Sequence, residues 1–373
     1  MKYLSLWLLM LTTLMGQAQA ADPLQLPAVQ RDRAEQAIIL DVSRAGERLV
    51  AVGERGIALY SDDQGQSWQQ AAVPVSVMLT ALFFVDDQQG WAVGHGGVVL
   101  VSRDGGQSWQ KQLDGNRINE LQLADVQQRL ATVEQQLAQL ESLVEQDPSR
   151  EAELEEAQYQ LEELQMALDD AELAQEEGPG IPLLDLWFAN QQQGFVVGAY
   201  GLILRTEDGG QSWQPWQRYL DNPDRNHYNA IAALDENTLI LAGEAGLLLR
   251  SEDGGQSWLR LDPPYEGSYF GLVAAEQQVY LLGLRGNAFS SDDQGDSWQA
   301  LELDNALTLA GGHYVDGQLL LVGNSGLFVE QSQQQWQEQV LDDRQSRSAV
   351  TAVPGYWILA GEGGLSRRPR AQP

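Results

Sequence analysis

The stretch Leu241–Trp258, LAGEAGLLLRSEDGGQSW, is the unit from which most of this chain of 373 residues is built. Its pattern predicts a strand, a tight Gly-x-x-Gly turn, a second strand, and a turn of sequence Ser-x-Asp-x-Gly-x-Ser-Trp. Near-copies begin at Gly53, Gly94, Gly198 and Gly283. Two degenerate copies follow, of which one keeps the glycines from Gly323 and a tryptophan, and the last keeps only the glycines from Gly361.

These copies make seven units with a period of about 40 residues, and each unit has room for four short strands. A repeat of this length with four strands per unit is typical of a propeller, in which each unit forms one radial sheet. The sequence therefore predicts an all-β fold, a seven-bladed β-propeller.

The eight-residue turn, which we call the Asp-box, has a structural explanation. Its carboxylate can accept backbone N–H groups across its own turn, its glycine permits a positive φ, and its tryptophan opens the outer strand and buries a large ring. The turn lacks the alternating ligands and the terminal Glu of an EF-hand calcium loop. We expect a structural role for its members Asp63, Trp68, Asp104, Trp109, Asp208, Trp213, Asp253, Trp258, Asp293 and Trp298.

The repeat is interrupted once, between the second and third units, by a segment of different pattern. Apolar residues recur in steps of three and four over residues 123–144 and again over 154–171, which is the heptad spacing of packed helices. Pro148 breaks the first helix, and Ser149 is placed to cap the second. The pattern predicts an inserted antiparallel α-helical (coiled-coil) hairpin, separable from the ring, that projects from it with arms of about 40 to 45 Å.

These patterns divide the mature chain into three segments. Residues 21–114 hold blades one and two and an N-terminal closing strand, residues 115–178 the helical hairpin, and residues 179–373 blades three to seven. Blade seven lacks sequence for a fourth strand, and an open blade leaves an unpaired edge. We therefore expect residues 24–30 to complete blade seven.

Residues 1–20 have the pattern of a secretory signal peptide. An apolar run follows Lys2 and ends in Ala18-Gln19-Ala20, and cleavage is expected after Ala20. No later run approaches the length of a membrane span. We therefore expect a periplasmic protein with no direct membrane span.

The chain is strongly acidic, with 53 Asp and Glu residues against 22 Lys and Arg and a formal net charge of −31. This charge argues against nucleic acid and against anionic membrane surfaces as partners. The chain has no Cys, and its three histidines fall in three different blades without metal-ligand spacing. We predict no cofactor and no metal site.

The Asp-box is also called the bacterial neuraminidase repeat. The blade pattern V-G-x-x-G-x-[ILV]-x-x-[ST]-x-D-G-G-x-[ST]-W, found here over Val197 to Trp213, resembles that of the photosystem II assembly and stability factor family. The resemblance covers residues 24–368 apart from the hairpin, and it implies a seven-bladed propeller without catalysis that acts as an assembly scaffold. Proteins of this type in non-photosynthetic bacteria resemble accessory proteins of envelope transporters, particularly resistance-nodulation-division exporters. The resemblance therefore implies a protein partner in the envelope, such as a membrane transporter complex.

Two other function classes are compatible with this fold. Asp-box propellers include sialidases, which resemble one another in three arginines that grip a carboxylate, a Tyr nucleophile paired with Glu, and an early Arg-Ile-Pro segment. No Arg-Ile-Pro occurs here. A propeller can also bind a ligand in its central channel, which an apolar cavity there would indicate. We favour a non-catalytic binding scaffold over a sugar-active enzyme and over a ligand-binding propeller.

The strand order predicts which face of the ring binds a partner. The Gly-x-x-Gly turns and the connectors between blades share one face, and the Asp-boxes lie on the opposite face. Arg and Tyr are residue types that protein interfaces favour, although pairing with Asp32, Asp224, Asp342 and Asp343 would explain the arginines equally well. The predicted partner-binding residues are Arg31, Arg33, Arg55, Arg225, His227, Tyr228, Tyr265, Tyr269, Phe270, Arg285, Arg344 and Arg347.

Overall fold

Short strands form seven antiparallel sheets that follow one another along the chain. The computed structural model describes residues 22–276, 278–332 and 335–370, so the predicted signal peptide lies outside the described residues. The inner strand of each sheet packs against the inner strand of the next, and the last packs against the first, which closes a ring. The prediction of a seven-bladed propeller with a helical insert is confirmed.

The first three blades each contain four strands, which are ordered from the channel outwards. Blade one consists of β1 (Ile39–Ala45), β2 (Arg48–Gly53), β3 (Ala58–Ser61) and β4 (Gln69–Gln70). Blade two consists of β5 (Leu79–Phe84), β6 (Gly90–Gly94), β7 (Val99–Ser102) and β8 (Gln110–Leu113). After the hairpin, blade three consists of β9 (Leu183–Phe188), β10 (Gly194–Gly198), β11 (Ile203–Thr206) and β12 (Gln214–Pro215).

The next three blades repeat this arrangement. Blade four consists of β13 (Tyr228–Ala233), β14 (Leu239–Gly243), β15 (Leu248–Ser251) and β16 (Leu259–Arg260). Blade five consists of β17 (Tyr269–Ala275), β18 (Gln278–Gly283), β19 (Ala288–Ser291) and β20 (Gln299–Ala300). Blade six consists of β21 (Leu309–Val315), β22 (Gln318–Gly323), β23 (Leu327–Ser332) and β24 (Gln335–Val340). Within the described residues, blade seven has three strands, β25 (Arg347–Val353), β26 (Tyr356–Gly361) and β27 (Ser366–Pro369).

The first residue of every inner strand occupies the same place in the repeat. It pairs with the first glycine of the Gly-x-x-Gly turn, as Ile39 pairs with Gly53. A Cβ atom on Gly53 would collide with the carbonyl oxygen of Ile38, so this glycine is required by the close approach of two strands. The residues at this place are all buried, with 0 to 4% of their surface exposed: Ile39, Leu79, Leu183, Tyr228, Tyr269, Leu309 and Arg347.

Polar side chains of the inner strands join neighbouring blades around the channel. The Thr80 hydroxyl donates to the carbonyl oxygen of Leu183 in the next blade, at 2.8 Å. The Asn229 amide donates in the same way to Tyr269, also at 2.8 Å. Each of these bonds satisfies a carbonyl group at the start of the following inner strand, where an unpaired buried acceptor would be costly.

Two carboxylates also join neighbouring blades, but they accept hydrogen bonds from backbone N–H groups. Asp41 accepts a hydrogen bond from the backbone N–H of Leu82 in blade two, and Asp185 accepts one from Ile231 in blade four, each at 2.8 Å. In blade five the corresponding residue is Gly271, where a Cβ atom would lie 2.8 Å from the carbonyl oxygen of Ala310. The blades are therefore linked by an Asp at some steps and by direct approach of the backbones at others.

Blades seven and one are joined without a shared sheet. The hydroxyl of Ser348 donates to the carbonyl oxygen of Ile39 at 3.2 Å. Buried apolar residues of both blades, among them Leu49 and Ile358, form one cluster across the junction. Ring closure therefore depends on the same packing between inner strands that joins the other blades.

The prediction that residues 24–30 complete blade seven is wrong. This segment runs beside blade one, where the N–H of Ala28 donates to the carbonyl oxygen of Val73 at 3.0 Å. Leu24 is 3% exposed and packs in the core shared by blades one and two, next to Trp109. Burial of the leucine between two blades removes more apolar surface from water than a place on an exposed sheet edge would.

The outer edge of blade seven is protected by charge rather than by a fourth strand. Arg367 of β27 lies over the ring of Tyr356, with 3.5 Å between the guanidinium carbon and the ring centroid. Arg370 pairs with Asp316 at 2.7 Å, and Pro369 ends the strand. Arginine and proline on an edge strand discourage further strand pairing, so the blade is stable with three strands.

The insert is a hairpin of two helices, α1 (Gly115–Val144) and α2 (Glu151–Glu177). Residues at the predicted heptad positions, including Val133, Leu137 and Leu164, form its own buried core. At the tip, Asp147 rather than Ser149 is the cap, because its carboxylate accepts the Ser149 N–H at 3.1 Å. No helix in the described part of the chain is long and apolar enough to cross a membrane.

The root of the hairpin is part of the ring. Ile118, in the first turn of α1, is 1% exposed and belongs to the core between blades two and three. Asn119 is also buried, and its amide donates to the carbonyl oxygens of Ala174 (2.7 Å) and Gly178 (3.3 Å) at the end of α2. The hairpin is therefore separable only beyond its first turn.

Two truncations test this boundary. Replacement of residues 124–172 by a short Gly/Ser linker should leave the thermal midpoint of the ring within a few degrees of the wild-type value, because the buried root is kept. Replacement of residues 118–178 should lower it strongly, since loss of a buried Ile side chain alone costs about 2 to 5 kcal/mol. Thermal unfolding followed by near-ultraviolet circular dichroism measures both. Equal midpoints for the two truncations would contradict a role of the root in the ring core.

Candidate protein-binding surface

The Gly-x-x-Gly turns and the connectors between blades lie on one face of the ring, which we call the connector face. Each turn joins the second and third strands of its blade, and each connector leads from the outer strand to the next inner strand. The hairpin starts on this face, where Gly115 packs so closely against the turn of blade two that a Cβ atom would lie 2.8 Å from the carbonyl oxygen of Gly96. The Asp-boxes join the third and fourth strands and therefore lie on the opposite face.

The third residue of the Gly-x-x-Gly turn has a left-handed backbone. Arg55, Tyr200 and Arg285 occupy this position with φ values of 52°, 56° and 58°. A residue with a Cβ atom loses about 1 kcal/mol in this conformation, yet all three side chains are exposed. In these three blades the turn therefore displays a large side chain outward.

Four predicted arginines are exposed and lack an acidic partner. Arg33, Arg55, Arg285 and Arg344 all have positive φ values and exposed side chains. Among the residues that the structure describes, no carboxylate lies within 4.0 Å of their guanidinium groups. Local pairing with neighbouring aspartates, the alternative explanation, does not account for these four residues.

The exposed cations lie in two regions of the connector face. Arg33 and Arg55 belong to blade one and Arg344 to the connector before blade seven, which is next to blade one in the ring. Arg285 belongs to blade five, and Arg225 to the connector before blade four. Arg31 is exposed near the first group but pairs with Glu54 at 3.4 Å.

Three predicted residues are structural instead. Tyr228, Tyr269 and Arg347 begin inner strands, so they occupy the buried place that Leu or Ile holds in other blades. Burial raises the pKa of Tyr269 to about 12, and its hydroxyl donates to the carbonyl oxygen of Tyr265 at 2.5 Å. Arg347 is neutralised by Asp343 at 2.6 Å. These three side chains are not available to a partner.

The remaining aromatic candidates lie at the edges of the connector face. Phe270 is 38% exposed, whereas Tyr265 is half-buried against Tyr269. His227 is half-buried, and its Nδ1 lies 2.6 Å from a carboxylate oxygen of Glu244. This hydrogen bond lowers the pKa of Glu244.

The hairpin forms ion pairs with the connector that follows β12. Arg218 lies 3.2 Å from Asp125 of α1, and Arg225 lies 2.9 Å from Asp170 of α2. Arg129 of α1 shares Asp125 at 3.7 Å. The hairpin is therefore tied to the ring by ion pairs beyond its buried root.

A cleft of about 490 Å³ lies between the hairpin and this connector. Its walls combine apolar side chains, such as Val126 and Ile181, with the ion-paired arginines. Tyr200 is 62% exposed at its edge, 4.9 Å from the ring of His227. A groove with apolar walls and a charged rim is the anatomy of a protein-binding site.

The cleft is lined by three arginines and two tyrosines, Tyr200 and Tyr228, which are also residue types of a sialidase site. Here Arg218 and Arg129 share Asp125, and Arg225 pairs with Asp170, so two aspartates already offset most of the positive charge. Burial raises the pKa of Tyr228 to about 12, whereas a nucleophile requires a lowered pKa or an adjacent base. The geometry does not support sugar chemistry at this site.

The Asp-boxes have the structural role that their sequence predicts. In the first box, Asp63 accepts hydrogen bonds from the N–H groups of Gln66 (3.0 Å) and Ser67 (2.9 Å) and from the Ser67 hydroxyl (2.6 Å). These bonds lower the pKa of Asp63 to about 2, and the bond from the Ser67 hydroxyl has the largest effect. Gly65 has a φ of +78°, as the turn requires. Every box carboxylate is used within its own turn.

Two buried carboxylates of the inner strands, those of Asp41 and Asp185, have raised rather than lowered pKa values. Each residue keeps some surface toward the channel, but its carboxylate is enclosed by protein, and this burial raises the pKa of Asp41 to about 6 and that of Asp185 to about 7. Backbone hydrogen bonds from Leu82 and Ile231 offset part of the effect, and the charge of Asp41 adds to it at Asp185.

Sequence reasoning missed Tyr200 and the ion pairs of the hairpin. Tyr200 could have been found, because it holds the same place in its Gly-x-x-Gly turn as Arg55 and Arg285. The pairing of Arg218 with Asp125 could not have been found, because these residues are 93 positions apart. They meet only when the hairpin packs beside blade three.

The ring, its Asp-boxes and its displayed connector face define an Asp-box propeller with a surface suited to protein binding. A family model described as photosynthesis system II assembly factor YCF48 matches residues 60–134 and 169–354. This match covers more than half of the 373 residues, so the chain belongs to the YCF48 photosystem II assembly factor family. The family resemblance found in the sequence is confirmed.

Curated relatives are similar over part of their length. The photosystem II assembly lipoprotein Ycf48 of Nostoc sp. is 32% identical over 203 residues, which are 51% of this chain and 58% of the relative. The photosystem II assembly protein Ycf48 of Thermosynechococcus vestitus is 36% identical over 120 residues, which are 32% of this chain and 35% of the relative. The chain thus matches less than two thirds of either relative. Both are named as assembly proteins rather than enzymes.

Solved structures share the fold. A structure described as YCF48 bound to D1 peptide superimposes with a TM-score of 0.61 at 15% identity and covers 93% of this chain and 100% of that chain. YCF48 from Cyanidioschyzon merolae gives a TM-score of 0.58 at 12% identity and covers 90% and 96%. At these identities the likeness concerns the fold alone.

The two kinds of carboxylate predict opposite responses to pH. Asp185→Asn should raise the free energy of unfolding by up to about 4 kcal/mol at pH 8, because ionised Asp185 is unfavourable in the folded state above its pKa of about 7. The gain should vanish toward pH 4, where the wild-type carboxyl is protonated in the folded protein. Urea unfolding at pH 4, 6 and 8 measures it.

Asp63→Asn is the matched control. The pKa of Asp63 is lowered to about 2, so this carboxylate stabilises the fold above its unfolded pKa near 4 and stops doing so as the pH falls toward 2. The variant should be less stable than the wild type at pH 7, and the difference should shrink below pH 4. The same pH trend in both variants would contradict the assignment of the two environments.

Proposed function

We propose that the protein is a non-catalytic binding and assembly scaffold that holds a protein partner on its connector face. The observation that carries this proposal is the set of four arginines, Arg33, Arg55, Arg285 and Arg344, which are displayed on left-handed turns without an acidic partner. Arginine is enriched at binding hot spots, and on a protein of net charge −31 these four side chains are exposed positive charges that an acidic partner surface can meet.

The family supports a protein partner. Its curated relatives are named as assembly proteins, and a solved relative carries a bound peptide of a protein named D1. For this chain we propose a membrane-bound complex of the bacterial envelope, with a resistance-nodulation-division exporter as the candidate that the sequence resemblance favours. We also propose a periplasmic location, which the secretory pattern of residues 1–20 supports.

The charge distribution suggests how such a partner would dock. The arginines of the connector face would meet an acidic surface, and the acidic hairpin would meet a basic one. Arg225 and Arg218 already neutralise two hairpin aspartates. The unpaired arginines are therefore the better probes of partner binding.

The triple variant Arg55→Glu, Arg285→Glu and Arg344→Glu tests the proposal. Loss of two or more arginine contacts should lower recovery of the partner at least tenfold. The measurement is quantitative mass spectrometry after affinity purification of the tagged, full-length protein from its native envelope. Arg103→Glu is the matched control, because Arg103 is exposed within an Asp-box on the opposite face.

The far-ultraviolet circular dichroism spectrum must be unchanged in all variants, so that loss of partner is not loss of fold. If the triple variant recovers every partner of the wild type, the scaffold proposal is wrong. Hydrolysis of a glycoside that depends on Arg218 or Arg225 would instead establish the sugar-active alternative.

A further inference from the structure

Helix α2 carries a second apolar stripe that does not face the hairpin core. Tyr159, Met166 and Leu173 are 59%, 62% and 53% exposed. They are spaced by seven residues, which places them on one line along the helix. The core stripe, which includes Ala157 and Leu164, lies on the other side of the helix. The exposed stripe is therefore a separate face.

The flanks of this stripe are uniformly acidic. On a helix, the surface neighbours of a residue lie three and four positions before and after it. For the three stripe residues every such neighbour is an exposed carboxylate: Glu155, Glu156, Glu162, Glu163, Asp169, Asp170, Glu176 and Glu177. The whole helix contains no Lys or Arg.

The hairpin itself does not require the stripe. The corresponding outward positions of α1 are Gln128, Gln135 and Ser142, which are polar and exposed. Both helices contribute side chains to the shared core, but Tyr159, Met166 and Leu173 are not part of it, so the stripe contributes little to hairpin formation. Three large apolar side chains in a regular row gain free energy only when another surface covers them.

We propose that this face of α2 binds a basic amphipathic helix of a partner protein. Apolar residues at heptad spacing on that helix would cover Tyr159, Met166 and Leu173, and Lys or Arg residues beside them would pair with the flanking carboxylates. Such a contact adds a third helix to the hairpin, in the geometry of packed heptad helices. The stripe is about 21 Å long, so the partner helix needs at least about 15 residues, just over two heptads.

Charge decides between this occupant and two others. A second copy of the chain would place one row of carboxylates against another, because α2 has no cation to offer, and like charges at close range oppose association. An anionic membrane surface is repelled for the same reason. A basic helix is attracted along both flanks of the stripe.

The molecule contains an internal example of the proposed contact. Arg225 of the ring pairs with Asp170, one of the flanking carboxylates, at 2.9 Å. That carboxylate is therefore placed to receive a guanidinium group. The other flanking carboxylates lie outside the ion pairs found among the described residues and stay available.

Two of the three stripe residues lie outside the segments that match the family. The family match ends at residue 134 and resumes at 169, so Tyr159 and Met166 fall between the matched segments. The inference rests on the proposed scaffold function and names the chemistry of the partner for the hairpin. The inference is tested on the hairpin, whereas the arginine variants test the connector face of the ring.

The probe is a fluorescently labelled synthetic peptide of four heptads with Leu at the inward positions and Lys beside them. Binding to the full-length mature protein is followed by fluorescence anisotropy at several salt concentrations. The triple variant Tyr159→Gln, Met166→Gln and Leu173→Gln should weaken binding at least tenfold. Gln is a good helix former, so helix content should not change.

Two further variants separate the contributions. Glu162→Gln with Glu163→Gln should weaken binding several-fold and flatten its dependence on salt, because screening acts only on the charged contacts. The matched control replaces the outward residues of α1, as Gln128→Ala, Gln135→Ala and Ser142→Ala, and should leave affinity unchanged. A peptide with Glu in place of Lys should not bind.

Three outcomes would overturn the inference. In the first, the basic peptide does not bind the wild type. In the second, it binds the stripe variant as tightly as the wild type. In the third, a peptide that keeps Lys but has Gln in place of Leu binds as tightly, which would mean simple charge attraction. Wild-type dimers that the stripe substitutions abolish, seen by sedimentation, would identify a second copy as the occupant and also overturn it. If the peptide fails while envelope partners still depend on Arg55, Arg285 and Arg344, only this inference falls.

Discussion

The contacts between inner strands of neighbouring blades hold the ring together, and the surface features depend on them. Thr80 and Asn229 each reach across a blade junction to a carbonyl oxygen, and Asp41 and Asp185 reach across to an N–H group. The bonds of Thr80 and Asn229 fix the start of the inner strands of blades three and five, and those of Asp41 and Asp185 hold a residue further along the inner strands of blades two and four. Because the Gly-x-x-Gly turn lies directly against the start of the inner strand, as Gly53 does against Ile38, the turn has little freedom of shape.

A turn of fixed shape determines where its side chains point. The third residue must accept a left-handed backbone, and the following glycine does the same at less cost. Arginine or tyrosine at this place cannot fold back into the core, so it is exposed. The ring therefore displays side chains at intervals around one face. On the other face, the polar groups of the Asp-boxes form hydrogen bonds within their own turns.

The hairpin combines three environments in two helices. Its root is part of the ring core through Ile118, its middle is tied to a connector by ion pairs, and its own core follows the heptads. Exposed pairs of this kind contribute little to stability, so they orient the arm more than they strengthen the fold. On the outer face of α2, Asp170 takes part in these contacts through its pair with Arg225, whereas Tyr159, Met166 and Leu173 stay exposed and free for another molecule.

Much of this structure follows from local sequence patterns. The repeat around Leu241–Trp258 predicted seven blades, the Asp-box chemistry and the face that carries the connectors, because turn geometry depends on a few adjacent residues. The heptads predicted the hairpin for the same reason. The repeat could also have shown that Tyr228, Tyr269 and Arg347 occupy a buried place, since Leu or Ile stands there in other blades.

Contacts between distant segments were decided only by the tertiary structure. Residues 24–30 resembled an outer strand, but Leu24 fills a gap between blades one and two that exists only in the closed ring. The ion pairs of Arg218 and Arg225 depend on the angle at which the hairpin leaves blade two. Sequence specifies side chains and turns, whereas burial and charge pairing across the ring depend on which surfaces the closed fold brings within a few ångströms of each other.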